Sequence, residues 1–104
     1  MKVNSIHKDV GKFIDDLDQN VWGEVFKAID LLEDKGADIR MPYSKKVVKD
    51  IYELRIISTQ NIRIFYTFRN HEIFLLHAIN KKSQRLIKKD IEKAIHRERW
   101  LHSL

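Results

Sequence analysis

The chain has 104 residues, of which 43% are apolar and 34% charged, with no cysteine and a formal net charge of +5. This length supports one hydrophobic core and one domain over residues 1–104, and the absence of thiols excludes disulfides, thiolate nucleophiles and cysteine-ligated metals. No apolar run is long enough to span a bilayer, and Met1-Lys-Val-Asn-Ser-Ile-His7 lacks the apolar centre of a signal peptide, so a cytoplasmic location is expected.

Ile6, Val10, Phe13, Ile14 and Leu17 recur at helical spacing, so residues 5–17 read as a short amphipathic helix. Val21, Trp22, Val25, Phe26, Ile29 and Leu32 repeat the pattern in a second helix, with Asp18 or Asn20 as its cap and Gly36 as its stop. Trp22 and Phe26 are read as core. Residues 37–50 read as an irregular connector that carries the basic cluster Lys45, Lys46 and Lys49.

Three runs rich in β-branched and aromatic residues follow: Ile51–Ile57, Ile62–Phe68 and Ile73–Ile79. The short polar breaks Ser58–Asn61 and Arg69–Glu72 make them an antiparallel meander with tight hairpins. Strand alternation puts Leu54 and Ile56 on one face and Arg55 on the other; on the next strand Ile64 and Tyr66 oppose Arg63. Pairing the Leu54 and Ile64 faces therefore sends both guanidiniums to the far side of the sheet. A last helix opens at Ser83 or Gln84, its apolar face made by Leu86, Ile87, Ile91, Ala94, Ile95 and Leu101. The expected fold class is α+β: two N-terminal helices packed on an antiparallel sheet, then a C-terminal helix.

The charge is unevenly spread. Residues 1–38 carry five Lys/Arg against nine Asp/Glu, residues 39–80 seven against three, and residues 81–104 eight against three. A basic remainder behind an acidic front third points to a polyanion as partner. The chemistry this excludes is broad. The three glycines are isolated, so no phosphate-cradling loop exists, and the five histidines lack zinc-ligand spacing. No metal or other cofactor is expected.

What remains is a cationic surface made by Arg55, Arg63, Lys81 and Lys82, flanked by Lys45, Lys46, Lys49, Arg85, Lys88 and Lys89 as RNA-binding candidates. Such a surface can bind phosphate through charge-assisted bonds. It can also promote RNA cleavage by the substrate's own 2′-hydroxyl, because fixed cations stabilise the charge that grows on phosphorus. His77 is a candidate for proton transfer; sharing a face with Leu75 and Ile79, it also reads as a hydrogen-bonded core histidine.

Tyr52-Glu-Leu-Arg55, Ile62-Arg63-Ile-Phe-Tyr66 and Leu75-Leu-His-Ala-Ile-Asn-Lys-Lys82, in this order, resemble the RelE/HigB toxin superfamily, in particular its phage-derived HigB-like branch. The resemblance implies a RelE-like microbial ribonuclease-type fold and a type II toxin that cuts mRNA on the ribosome without metal. It also implies a cognate helix-turn-helix antitoxin that covers the basic surface. Arg55, Arg63 and Lys82 match the family's basic positions. Glu53 stands where the RelE branch prefers lysine, and Lys88 falls where a tyrosine is usual. The family's first strand has too little chain before the helix, so it should be vestigial or missing, leaving an exposed sheet edge that a partner could occupy. A gyrase-directed ParE-like inhibitor and an inactive antitoxin-binding module are the alternatives.

Overall fold

The computed structural model describes residues 1–58, 60–81 and 88–104. Its sheet has five strands, β1 (Val3–Ser5), β2 (Ser44–Val48), β3 (Ile51–Ile57), β4 (Asn61–Arg69) and β5 (Glu72–Asn80), in the order β1-β5-β4-β3-β2. The helices are α1 (Lys8–Asp15), α2 (Gln19–Lys35) and α3 (Lys88–His102).

The meander lies where the β-branched runs place it, within one residue at each end. Its second hairpin is a two-residue turn in which Asn70 and His71 both have positive φ, the backbone whose twist matches that of the strands it joins. Leu54 faces Ile64 and Arg55 faces Arg63 across β3 and β4. The strand count is larger than expected. β1 is only three residues long, and it pairs parallel to β5, with backbone bonds running on to Lys2 and Ile6. It therefore fills part of the edge that the sequence leaves open. The connector is not irregular throughout, because residues 44–48 form β2 along β3. Two lysines in a five-residue strand hide the apolar alternation, as is usual at an edge that must not aggregate.

Two cores lie on opposite faces of the sheet. Val10, Val21, Val25, Leu32, Leu54, Ile64 and Tyr66 join the helical hairpin to one face, while Ala94 of α3 packs on Ile51, Phe65 and Leu76 of the other. A bulge in β5 around Leu76 makes this possible. Phe65 pairs with His77 but Tyr66 pairs with Leu75, so Leu76 is the extra residue. The bulge also reverses parity: Leu75 enters the first core, whereas His77 and Ile79 stay with α3 rather than sharing Leu75's face.

In α2 the buried stripe is Val21, Val25 and Leu32, and Trp22 and Phe26 stand outside it, 42% and 39% exposed with ring centroids 4.4 Å apart. They are not core: one residue further along a helix is about 100° around it, too far to share the stripe. Asp18 stands at the N-cap without a side-chain bond, and Gly36 ends the helix at φ 55°, its N–H donating to the Leu32 carbonyl. Between the helices, Arg97 of α3 grips Asp9 of α1 with both terminal nitrogens, at 3.0 and 2.6 Å, and its Nη1 also donates to the carbonyl of bulged Leu76. No helix among the described residues is long and apolar enough to cross a membrane.

Candidate nucleic-acid interface

Strand register builds the site. Arg55 and Arg63 are direct cross-strand partners, and Glu53, two residues before Arg55, shares their face. The Arg55 N–H bonds to the Tyr43 carbonyl on the β2 side, so the Arg55–Arg63 pair is of the non-hydrogen-bonded kind, whose side chains stand closest. Two like charges that near each other require a counter-charge.

Glu53 supplies it. Its Oε1 lies 2.7 Å from Nε of Arg63 and 3.5 Å from Nε of Arg55. The N–H directions do not run along these lines, so among the described residues the contacts act as ion pairs and neither Nε completes a hydrogen bond. Arg63 is 2% exposed, and its Nη1 donates to the Ile62 carbonyl and the Asn61 side chain. Arg55 is the more accessible arginine: its side chain is 24% exposed, and its Nη1 rests 3.7 Å from the Met41 sulfur at the sheet's outer edge. One carboxylate between two guanidiniums leaves one positive charge over, and geometry assigns that surplus to Arg55.

The two arginines thus converge as strand alternation requires, but as a pair half-neutralised by Glu53 rather than a doubly free one. Sequence reasoning missed the part Glu53 plays. The signal was present, since a residue two before Arg55 in a strand must lie on the same face.

The remaining candidates divide. Lys81 extends the ladder past β5, its N–H donating to the Asn61 carbonyl at 2.6 Å, and so lies at the end of the sheet that carries the arginines. Lys82 and Arg85 lie outside the described residues, as do Ser83, Gln84, Leu86 and Ile87. Lys45, Lys46 and Lys49 do not form one cluster. Lys45 pairs with Glu53 and shares its face, whereas Lys46 pairs with Tyr52 on the opposite face. Lys49 sits at the β2–β3 turn, beside a cavity shared with Arg99 and His102 of α3. Consecutive residues in an extended chain point apart, which is why the cluster divides. Lys88 is almost fully exposed and lies 3.8 Å from Glu92; Lys89 is exposed beside it.

His77 lies between the sheet and α3. Its ring stacks on Phe65, and Nε2 lies 2.8 Å from Oδ1 of Asp90 on α3. With only 11% of the side chain exposed, it joins the sheet to the helix. Tyr66 is buried on the opposite face with its hydroxyl bonded to Ser44, and burial raises its pKa above the ordinary 10.0.

The family model described as phage derived protein Gp49-like (DUF891) matches residues 12–99, which contain α2 and β2 to β5 whole, the end of α1 and most of α3. The chain belongs to the Gp49-like family. That family is one of RelE/HigB-like toxins, which places the Arg55–Glu53–Arg63 group in a toxin scaffold. No curated protein matches the chain.

Proposed function

We propose that this Gp49-like protein is the toxin of a type II toxin–antitoxin system, of the HigB-like branch, which cuts mRNA on the ribosome without metal. The observation that carries the reading is the surplus guanidinium of Arg55, fixed at the sheet edge by a carboxylate that Arg63 already neutralises. In the reaction the 2′-hydroxyl of one nucleotide attacks the adjacent phosphorus and the bond to the 5′-oxygen breaks. Arg55 stabilises the charge that develops on the phosphoryl oxygens, and Lys81 and Lys82 add to the positive field. Arg63 acts from behind, positioning Glu53 and through it Arg55. His77 is given no part, because its ring is stacked on Phe65 and its side chain is only 11% exposed, held against α3. The ribosome supplies the alignment of the RNA, so cleavage of free RNA is weak. The working location is the cytoplasm, the whole of residues 1–104 acts as one domain, and a helix-turn-helix antitoxin silences it.

Arg55→Ala tests this directly, since Glu53 keeps its closer partner and the fold survives. Induced expression of wild type stops growth, whereas the folded variant does not. Binding of purified protein to ribosomes weakens steeply as salt rises. Growth arrest by folded Arg55→Ala, or ribosome affinity flat in salt, removes the reading. Supercoiling defects with intact mRNA would favour the ParE-like alternative instead. The burial of Arg63 favours a second reading, an inactive antitoxin-binding module whose arginines are purely structural. Expression of wild type without any growth defect would select it.

A further inference from the structure

Beside Arg55 lies a cleft of about 320 Å³ between α2 and the segment that enters β2, within the size range of small-ligand sites. Ala28 and Leu31 of α2 line one wall, Pro42 and Tyr43 another, and Arg55 and Ile57 the strand side. Three features single it out. Tyr43 and Ile57 are each more than half exposed and line it, an apolar surface that the fold does not use. The β2 ladder begins at Ser44 opposite Leu54, and beyond the Arg55 N–H, which the Tyr43 carbonyl takes, β3 has no paired strand on that side among the described residues. Two basic residues line it, Arg55 from the strand and Lys27 from α2, the latter exposed and 3.8 Å from Glu24, whose carboxylate lines the cleft as well.

We infer that this cleft binds an unstacked nucleobase of single-stranded RNA, with the Tyr43 ring as platform and the neighbouring phosphate on Arg55. The inference rests on the nuclease reading, because it takes Arg55 as the phosphate contact and asks where the attached base goes. Single-stranded RNA is recognised by splaying bases onto aromatic rings while cations hold the backbone, and the cleft offers both within one residue's reach. An extended peptide is the competing occupant. The open edge is only three residues long, too short for main-chain pairing to hold a strand by itself, whereas a base uses the ring, the apolar wall and one or two backbone groups together.

The test uses short RNAs carrying 2-aminopurine, or an abasic residue at the same position, titrated into the full chain. The expected result is quenching of the 2-aminopurine on binding. Tyr43→Ala weakens affinity at least about fivefold and Tyr43→Phe leaves it within about twofold, as a stacking contact requires. Abasic RNA should bind wild type as weakly as intact RNA binds Tyr43→Ala. Tyr43 contributes only its backbone to the described hydrogen bonds, so circular dichroism should show Tyr43→Ala folded. Unchanged affinity in Tyr43→Ala, alongside a steep salt dependence and loss of binding in Arg55→Ala, overturns the base subsite and spares the nuclease reading. Absence of RNA binding by any form of the chain overturns the base subsite, whereas the nuclease reading falls only if message on the ribosome also stays intact. Protection of Tyr43 and Ile57 from hydrogen exchange by a co-expressed protein, with none by RNA, overturns it in favour of a peptide groove.

Discussion

Replacing Arg63 with alanine separates a structural role for this arginine from a chemical one. Arg63 is 2% exposed and Glu53 4%, so truncating the arginine strands a carboxylate in the interior. Breaking a buried pair in this way costs about 3–5 kcal/mol. The Nε of Arg55, 3.5 Å from the same oxygen, still compensates in part, which puts the expected loss near the lower end, about 3 kcal/mol. For a domain of this size each kcal/mol lowers the midpoint by roughly 4–8 °C, so thermal unfolding followed by circular dichroism should shift down by about 12–24 °C. Arg63→Ala combined with Glu53→Gln should recover part of that loss, because the stranded charge is gone. A single variant with an unchanged midpoint would refute the buried ion pair, and with it the claim that Arg63 works from behind.

Three further outcomes follow from the packing. Arg97 holds the Asp9 carboxyl below its ordinary 3.8, so this contribution is present above the unfolded value and lost as pH falls through the folded one. In acid titrations Asp9→Asn should be less stable than wild type at neutral pH, and the gap should close in acid; a gap independent of pH would contradict it. Burial raises the Tyr66 pKa, so the stability it lends is intact below about 10 and disappears as pH rises through the folded value. Tyr66→Phe should cost about 1 kcal/mol at neutral pH, for the lost Ser44 bond, and should lose less stability in alkali than wild type. Gly36 has φ 55°, and a Cβ there would stand 2.9 Å from the Met1 sulfur, so Gly36→Ala should cost about 1–3 kcal/mol in denaturant titrations.

The meander was legible because β-branched residues, short polar breaks and period-two alternation all agreed, and the opposition of Arg55 and Arg63 followed from parity alone. Other features depended on what single residues do in three dimensions. The bulge at Leu76 shifts β5 by one residue, and no local signal marks it among Phe74-Leu-Leu-His77. β2 reads as loop because its middle is Lys45-Lys46, side chains that suit a solvated edge. Trp22 and Phe26 looked like core because they neighbour core positions, yet the helix turns them away. The state of the arginines depended on Glu53, which the sequence shows beside them and only the fold shows buried between them.

The most direct test of the central claim compares one mRNA, naked and on translating ribosomes, incubated with the purified chain or with folded Arg55→Ala and mapped by primer extension. The proposal requires cuts within codons on the ribosome, little cleavage of the naked RNA, and none with the variant. Intact message with wild-type protein, or the same cuts with Arg55→Ala, would contradict it.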